Sequence, residues 1–191
     1  MAVWELSAVS SEFAQYLATN SQDNDNEVFD TNGVPKVWSI RPKLEVFKEK
    51  RRKTPKPLGD ASFVTAGSII LNQKAYDALH AFLGQFGEFL EVEYGGEVVY
   101  FYNVTNIISC IDPAKSRYVG PSLFKAAFHV DLEPKDAQVF KDPLMLEIAI
   151  YVSDPAKAIL EQLVADAKLT GMQFEAPFDG QLVPFVRPRA T

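Results

Sequence analysis

The sequence contains one cysteine, two histidines and no long apolar run. Because Cys110 is the only cysteine, no intrachain disulfide can form. Two histidines and one cysteine cannot make a standard structural zinc site without carboxylates, and neither C-x-x-C nor H-E-x-x-H occurs. Walker-type and G-x-G-x-x-G loops are also missing. No apolar stretch approaches the roughly 20 residues that span a bilayer. The sequence therefore predicts no cofactor, no metal and no membrane span.

The N-terminal residues do not have the pattern of a signal peptide. They lack a basic start, and Glu5 and Glu12 lie where an apolar run is needed. Cys110 lies within the apolar run of residues 107–111, which favours a buried, inert thiol over a reactive one. We therefore expect a cytoplasmic location.

Charge is distributed unevenly along the chain. The formal net charge is −6, yet the stretch from Arg41 to Lys56 carries eight basic residues against Glu45 and Glu49. This window is therefore +6 and the remainder of the chain is −12. A basic run can contact nucleic acid, but prolines bracket this one and the acidic remainder would repel a polyanion. The pattern favours a solvated loop, and no direct contact with nucleic acid is expected.

Composition and element order predict a single α+β domain. The 191 residues include 14 phenylalanines and 7 tyrosines, enough for an aromatic-rich core. The order of predicted elements fits a mainly antiparallel sheet with a few packed helices. Residues 1–58 are predicted to be an irregular segment packed on the core, with a basic loop at 41–56. Within this segment we expect an edge strand at 4–6, a helical turn at 12–17 and a strand at 38–40. Residues 59–176 form the predicted core, and 177–191 an irregular tail.

The most regular pattern lies between Gly59 and Asp112. Asn72 is a good N-cap for a helix over 73–83, in which apolar residues recur at helical spacing. Gly95-Gly96 predicts a tight hairpin turn between a strand at 89–94 and a second strand that starts at 97 and ends at 104 or runs on to 111. Later segments predict a weakly alternating strand at 124–132, a strand at 145–152, a helix after Ser153 and a short strand from Met172.

Candidate catalytic groups are sparse. His129 and Asp131 would share one face of a strand, so an oriented His–Asp pair is geometrically possible. No recognisable nucleophile accompanies them, and His80 is better explained as a structural or surface residue. The stretch from Asp23 to Glu27 alternates oxygen donors but lacks the glycine and distal glutamate of a calcium loop. We therefore predict no catalytic residue and no metal ligand.

The hairpin has two predicted faces. With Gly95-Gly96 as its turn, Glu91 pairs with Tyr100 and Glu93 with Val98. One face is the natural core, and the other combines carboxylates with tyrosines, which suits a basic protein partner. The alternative is that a helix or the N-terminal segment covers this second face. The predicted partner-binding residues are the members of this face and of an acidic loop: Glu91, Glu93, Tyr100, Tyr102, Asp23, Asp25, Glu27 and Asp30.

Several short motifs are shared with a known family. They are Glu88-Phe89-Leu90-Glu91-Val92, in which Glu91 stands where the family has proline, Asn103-Val104, Cys110-Ile111-Asp112, and Gly171 followed by Phe174. With them the stretch from Trp38 to Phe174 resembles the eleventh immunity-protein family of bacterial polymorphic toxin systems, long known as a domain of unknown function.

The resemblance implies a non-enzymatic antitoxin. Such a protein binds a cognate effector toxin, often a nuclease delivered by a contact-dependent or type VI-like secretion system, and blocks its active or substrate-binding surface. An acidic chain suits this role, because a surface that binds phosphates is basic. Two alternatives remain open: a small enzyme that uses His129 and Asp131 to reverse a toxin's modification, and a structural or regulatory module of a secretion apparatus.

Overall fold

A computed structural model describes residues 2–19, 28–48 and 54–176, and these residues form an α+β domain. The helices are α1 (Gln73–Leu83) and α2 (Asp154–Asp166). The strands of the described ranges are β1 (Val3–Ala8), β2 (Tyr16–Ala18), β3 (Lys43–Val46), β4 (Ala61–Ser62), β5 (Ile69–Leu71), β6 (Gly87–Tyr94), β7 (Glu97–Val104), β8 (Arg117–Val119), β9 (Ser122–Lys125), β10 (Val139–Phe140), β11 (Ile150–Ser153) and β12 (Met172–Glu175). All their pairings are antiparallel except β3 with β6.

Six strands form a sheet in the order β2-β3-β6-β7-β5-β4. The sheet curls until its two edges meet, since the Tyr16 amide donates to the Phe63 carbonyl just after β4 and the Ser62 hydroxyl donates to the Ala14 carbonyl. We call this closed sheet the barrel. Its interior is apolar and is filled mainly by residues that alternate along the strands, among them Tyr16, Leu44, Ile70, Val92, Val99 and Phe101.

A second sheet has the order β10-β11-β1-β12. Both helices lie between one face of this sheet and the outside of the barrel, where Leu79 of α1 and Leu160 of α2 share one core with Leu6 and Tyr102. Its other face is covered by a separate apolar cluster that includes Cys110 and Tyr151. The remaining strands, β8 and β9, make an exposed two-stranded hairpin.

The N-terminal segment is more regular than the sequence predicts. Residues 4–6 belong to β1, which is a central strand between β11 and β12 instead of an edge strand. The helical turn predicted at 12–17 lies earlier, at residues 10–12, where the Phe13 amide donates to the Val9 carbonyl at 3.4 Å; β2 then begins at Tyr16 and pairs with β3. The strand predicted at 38–40 is wrong; these residues form an irregular segment and a bend before β3. The described residues of the segment 1–58 thus contribute three strands to the two sheets.

The predictions for the core segment are mostly confirmed. Helix α1 has the predicted bounds, and the side chain of Asn72 accepts the amide of Ala75 at 2.9 Å. The hairpin turns at Gly95 and Gly96, whose φ values of 60° and 89° favour glycine, and its register is the predicted one. Helix α2 starts after Ser153, and β12 starts at Met172.

Three predicted strands are shorter in the structure. Residues 107–111 do not extend β7 and make only isolated bridges at Ile107 and Ile111. The segment 124–132 leaves its strand after Lys125 and turns after His129. The strand predicted at 145–152 is confined to β11, because Asp142 caps a turn at residues 142–148. The predicted tail 177–191 and residues 49–53 of the basic loop lie outside the described residues.

Candidate functional site

The tyrosine-bearing face of the hairpin is covered by α1, as the alternative interpretation proposed. Tyr102 is fully buried, and its hydroxyl donates to the Leu83 carbonyl at 2.9 Å. Its ring stacks on Phe89 with centroids 4.9 Å apart. Including Tyr102 in a partner-binding surface is therefore wrong. The sequence pattern fixed the face on which Tyr102 lies but did not show that a helix would dock there.

Tyr100 remains at the surface beside α1. Its ring stacks on Tyr76 with centroids 3.8 Å apart, and Tyr76 in turn stacks on His80 at 4.9 Å. The Tyr100 hydroxyl donates to Oε1 of Gln73 at 2.8 Å. Tyr100, Tyr76 and His80 thus form a row of parallel rings across β7 and α1, which we call the aromatic stack. Stacking fixes the relative orientations of the rings.

Carboxylates flank the aromatic stack. Asp77 lies on the exposed side of α1, where it accepts Nε2 of Gln73 at 2.8 Å. Partial desolvation, with smaller contributions from Tyr76, Glu91 and Asp77, raises the pKa of Tyr100. Asp77 and Glu91 are thus the carboxylates close enough to act electrostatically on Tyr100, and an ion pair with Arg41 offsets the charge of Glu91.

Two predicted binding carboxylates already have cationic partners within the chain. Arg41 forms an ion pair with Glu91, and Nζ of Lys43 lies 2.9 Å from Glu93. Both pairs are solvent-exposed, so each is weak and can exchange for a partner's charge. The first residues of the basic stretch therefore reduce the negative charge of the hairpin face.

Asp30 is half-buried and already has interaction partners within the chain. Its side chain is only 20% exposed and lies 3.9 Å from Nζ of Lys36. It accepts the backbone amide of Asn32 at 3.0 Å, and it also attracts the buried ammonium group of Lys141. A direct role in partner binding is therefore not supported for Asp30. The other predicted members of this loop, Asp23, Asp25 and Glu27, lie outside the described residues.

His129 has a different acidic neighbour from the predicted one. Its Nδ1 lies 3.4 Å from Oδ2 of Asp112, whereas Asp131 is exposed beyond a turn. Burial opposes ionisation of Asp112, but Lys115, His129 and two backbone amides together lower the pKa of its carboxyl group. His129 therefore pairs with Asp112, on a separate segment, and not with Asp131 as predicted. The two segments are held together where the His129 amide donates to the Cys110 carbonyl.

The hydroxyl of Ser116, in the same loop as Asp112, already has hydrogen-bond partners. Ser116 donates to the Asp112 carbonyl at 2.7 Å and accepts the Ala127 amide at 2.9 Å. These bonds tie residues 112–116 to the segment before His129. The arrangement is that of a folded loop junction, with His129 44% exposed at its edge.

The sequence analysis missed the helical half of the aromatic stack. Tyr76 and His80 are four residues apart, which places them one turn apart on a single helix face. That spacing was an available signal, but it does not reveal that Tyr100 completes the row. Docking of α1 on β7 depends on contacts between distant segments.

The comparisons with known proteins leave the family open. No model of a known protein family matches the chain, and no functionally characterised protein is significantly similar to it. Within the described residues, three or more His, Cys, Asp or Glu side chains never converge as ligands for a metal. Neither helix of the described ranges has the length and apolar character of a membrane span.

Proposed function

We propose that this chain is a cytoplasmic immunity protein that binds a cognate bacterial effector toxin, expected to be a nuclease, and occludes its active or substrate-binding surface. The observation that carries the proposal is the aromatic stack with the neighbouring carboxylates Asp77 and Glu91. The motif resemblance of residues 38–174 supplies the toxin context. The chain's net charge of −6 agrees with a basic partner.

A surface of this kind suits protein binding for two physical reasons. Tyrosine rings bury large areas at low entropic cost, and the stacking of Tyr100 on Tyr76 reduces that cost further. Carboxylates around the rings accelerate encounter with a basic surface and disfavour acidic competitors. Because one part of the site is on α1 and the other on the β6–β7 hairpin, both are held on regular elements.

Co-expression with the toxin encoded beside its gene tests the proposal. The wild-type chain should restore growth of the host and bind the purified toxin. Asp77→Lys should weaken the complex about tenfold, because it places a cation against a basic partner. Asp166→Lys is the matched control, since Asp166 accepts Nε2 of Gln162 on α2 in the same i,i+4 arrangement as Asp77 with Gln73.

Failure of the wild-type chain to bind and protect overturns the proposed function. Equal weakening by Asp77→Lys and Asp166→Lys contradicts the location of the interface at the aromatic stack. A third pattern, in which the chain forms a stable complex with secretion-apparatus components but gives no protection, supports a structural or regulatory module instead.

The contact between His129 and Asp112 keeps an enzymatic alternative testable. An imidazole 3.4 Å from a carboxylate and 44% exposed could act as a general base in a toxin-reversing reaction. His129→Ala should retain full protection if the chain acts by occlusion. Loss of protection with unchanged toxin binding would favour the enzyme.

A further inference from the structure

One face of the Tyr100 ring carries no aromatic or cationic partner among the described residues. Its other face lies on Tyr76, with centroids 3.8 Å apart and ring planes 15° from parallel. No second aromatic ring contacts Tyr100, and the lysine and arginine side chains that lie over rings in the described ranges do so at other residues. Because the quadrupole of a tyrosine ring attracts cations, the half-buried Tyr100 can take a cationic group from a partner.

Asp77 supplies a carboxylate close to the same ring. Its Oδ1 accepts Nε2 of Gln73 at 2.8 Å, and Oε1 of Gln73 accepts the hydroxyl of Tyr100 at 2.8 Å. Gln73 therefore links the carboxylate to the phenol through two hydrogen bonds. The other carboxylate that acts on Tyr100, Glu91, already pairs with Arg41, whereas no cation of the described residues pairs with Asp77. Asp77 thus carries the uncompensated negative charge at the aromatic stack.

Regular structure holds both the ring and the carboxylate. Tyr100 lies on β7 and Asp77 on α1. The ring of Tyr76 contacts Phe89 edge-on at 5.1 Å, and Phe89 stacks on the fully buried Tyr102 at 4.9 Å. The aromatic stack is therefore continuous with the core. Little side-chain entropy remains to be lost when a partner's group stacks on it.

Arginine fits this pair of groups better than lysine does. Its guanidinium is planar, stacks on aromatic rings and can pair with a carboxylate through two parallel N–H groups. It is also less strongly hydrated than the compact ammonium group of lysine. A tyrosine ring beside an unpaired carboxylate therefore discriminates between two cations of equal charge.

We propose that the aromatic stack binds an arginine side chain of the partner protein, with the guanidinium against the Tyr100 ring and in an ion pair with Asp77. This inference rests on the proposed function, since it specifies the chemistry of the basic surface that the chain would cover. A general attraction to basic surfaces becomes recognition of arginine at one position. The partner would then present arginine, and not lysine, to the aromatic stack.

Two peptides of equal charge, hexa-arginine and hexa-lysine, test this proposal on the full chain without the toxin. In an NMR titration at about 0.15 M salt, the wild type should bind hexa-arginine about twofold to fivefold more tightly than hexa-lysine, which is the size of an exposed cation–π contribution. Saturable shifts should appear at the ring resonances of Tyr76 and Tyr100. Tyr100→Leu should remove the preference for arginine. Tyr118→Leu is the control, because it removes an exposed tyrosine of β8 outside the aromatic stack and should leave the preference unchanged.

Asp77→Asn tests the ion pair with little change in side-chain shape. It should weaken hexa-arginine binding about twofold to fivefold. Asp166→Asn, which alters the corresponding contact with Gln162 on α2, should leave the affinity unchanged. Each variant should keep the circular dichroism spectrum of the wild type.

Three results overturn the arginine site: equal affinities of the wild type for the two peptides, an arginine preference that survives in Tyr100→Leu, or equal effects of Asp77→Asn and Asp166→Asn. If one of them occurs in a chain that still binds its toxin and protects against it, the arginine site fails and the proposed function stands. A chain that shows the arginine preference but does not bind its toxin overturns the proposed function and not the arginine site.

Discussion

Two adjacent charged residues, Lys141 and Asp142, are completely buried after β10. Nζ of Lys141 donates to the carbonyls of Gly67 at 3.0 Å and Leu146 at 2.5 Å. Oδ2 of Asp142 accepts the amides of Cys110 and Ile111 at 2.8 and 2.9 Å. Each side chain therefore satisfies backbone groups of a distant loop, which explains why burial of both charges is tolerated.

Lys141 should make stability depend on pH near neutrality. Desolvation lowers the pKa of Lys141 to about 7, although Asp30 and Glu147 partly oppose the shift. An unfolded lysine has a pKa of about 10.4, so above pH 7 the unfolded chain binds more protons at this residue than the folded chain does. The free energy of unfolding should therefore rise with pH, by up to about 1.4 kcal/mol per pH unit. The destabilisation that comes from burying a charged Lys141 should be greatest below pH 7.

Urea unfolding of the wild type and of Lys141→Met between about pH 7 and 8.5 measures this term. The range stops at the usual cysteine pKa of about 8.5 for a reason. Burial raises the pKa of Cys110 to about 12, so at higher pH the unfolded chain loses a proton that the folded chain keeps. Stability would then fall with pH at Cys110, which is opposite to the effect of Lys141. The free energy of unfolding of the wild type should rise relative to that of the variant. Parallel pH profiles would show that Lys141 stays charged in the folded state.

At the scale of elements, the segments that the sequence predicts well are those with local signals. The N-cap Asn72 and the pair Gly95-Gly96 determine their helix and turn through contacts within a few residues. The central position of β1 and the burial of Tyr102 depend on strands and helices far away in sequence. The same holds for Lys141, since a Lys-Asp-Pro sequence is typical of an exposed turn.

Asn72 and Ser153, the residues just before α1 and α2, should affect stability in different ways when they are replaced by alanine. Asn72 caps α1 directly, whereas Ser153 precedes α2 without a capping bond and instead donates to Asp136 and accepts from Gln138. Asn72→Ala should therefore lower the free energy of unfolding by about 1 kcal/mol. Asn72→Ser should keep most of the stability of the wild type, because serine is also a good N-cap. Ser153→Ala should also destabilise, because it removes the partners of a buried backbone segment.

Amide hydrogen exchange separates these two mechanisms. Asn72→Ala should accelerate exchange at the Ala75 amide, which is the group that Asn72 caps. Ser153→Ala should accelerate exchange at the Gln138 amide and leave the first turn of α2 at its wild-type rate. Faster exchange in that turn would assign Ser153 a capping role that the geometry does not give it.

At the scale of the whole molecule, the uneven charge is partly compensated between segments. The basic stretch begins with Arg41 and Lys43, which pair with Glu91 and Glu93 on the hairpin. In sequence, a +6 window and a −12 remainder indicate separate surfaces. In the fold, the start of the basic window lies against the predicted acidic face. The electrostatic field at the hairpin is therefore set by both segments.

This compensation predicts opposite effects of removing the two partners of one ion pair. Arg41→Ala leaves the Glu91 carboxylate uncompensated, so a basic toxin should associate about twofold to fivefold faster at low salt. Glu91→Arg should slow association by a similar factor, and salt at about 1 M should suppress both differences because it screens exposed charges. Stopped-flow mixing with the toxin measures these rates.

Lys157→Ala is the control for a change in net charge alone. It removes the cation of the Lys157–Glu161 pair on α2 and changes the net charge as Arg41→Ala does, so it separates an effect at the hairpin from an effect of overall charge. Equal acceleration by both alanine variants, or unchanged rates for Arg41→Ala and Glu91→Arg at low salt, would exclude the hairpin face from the interface.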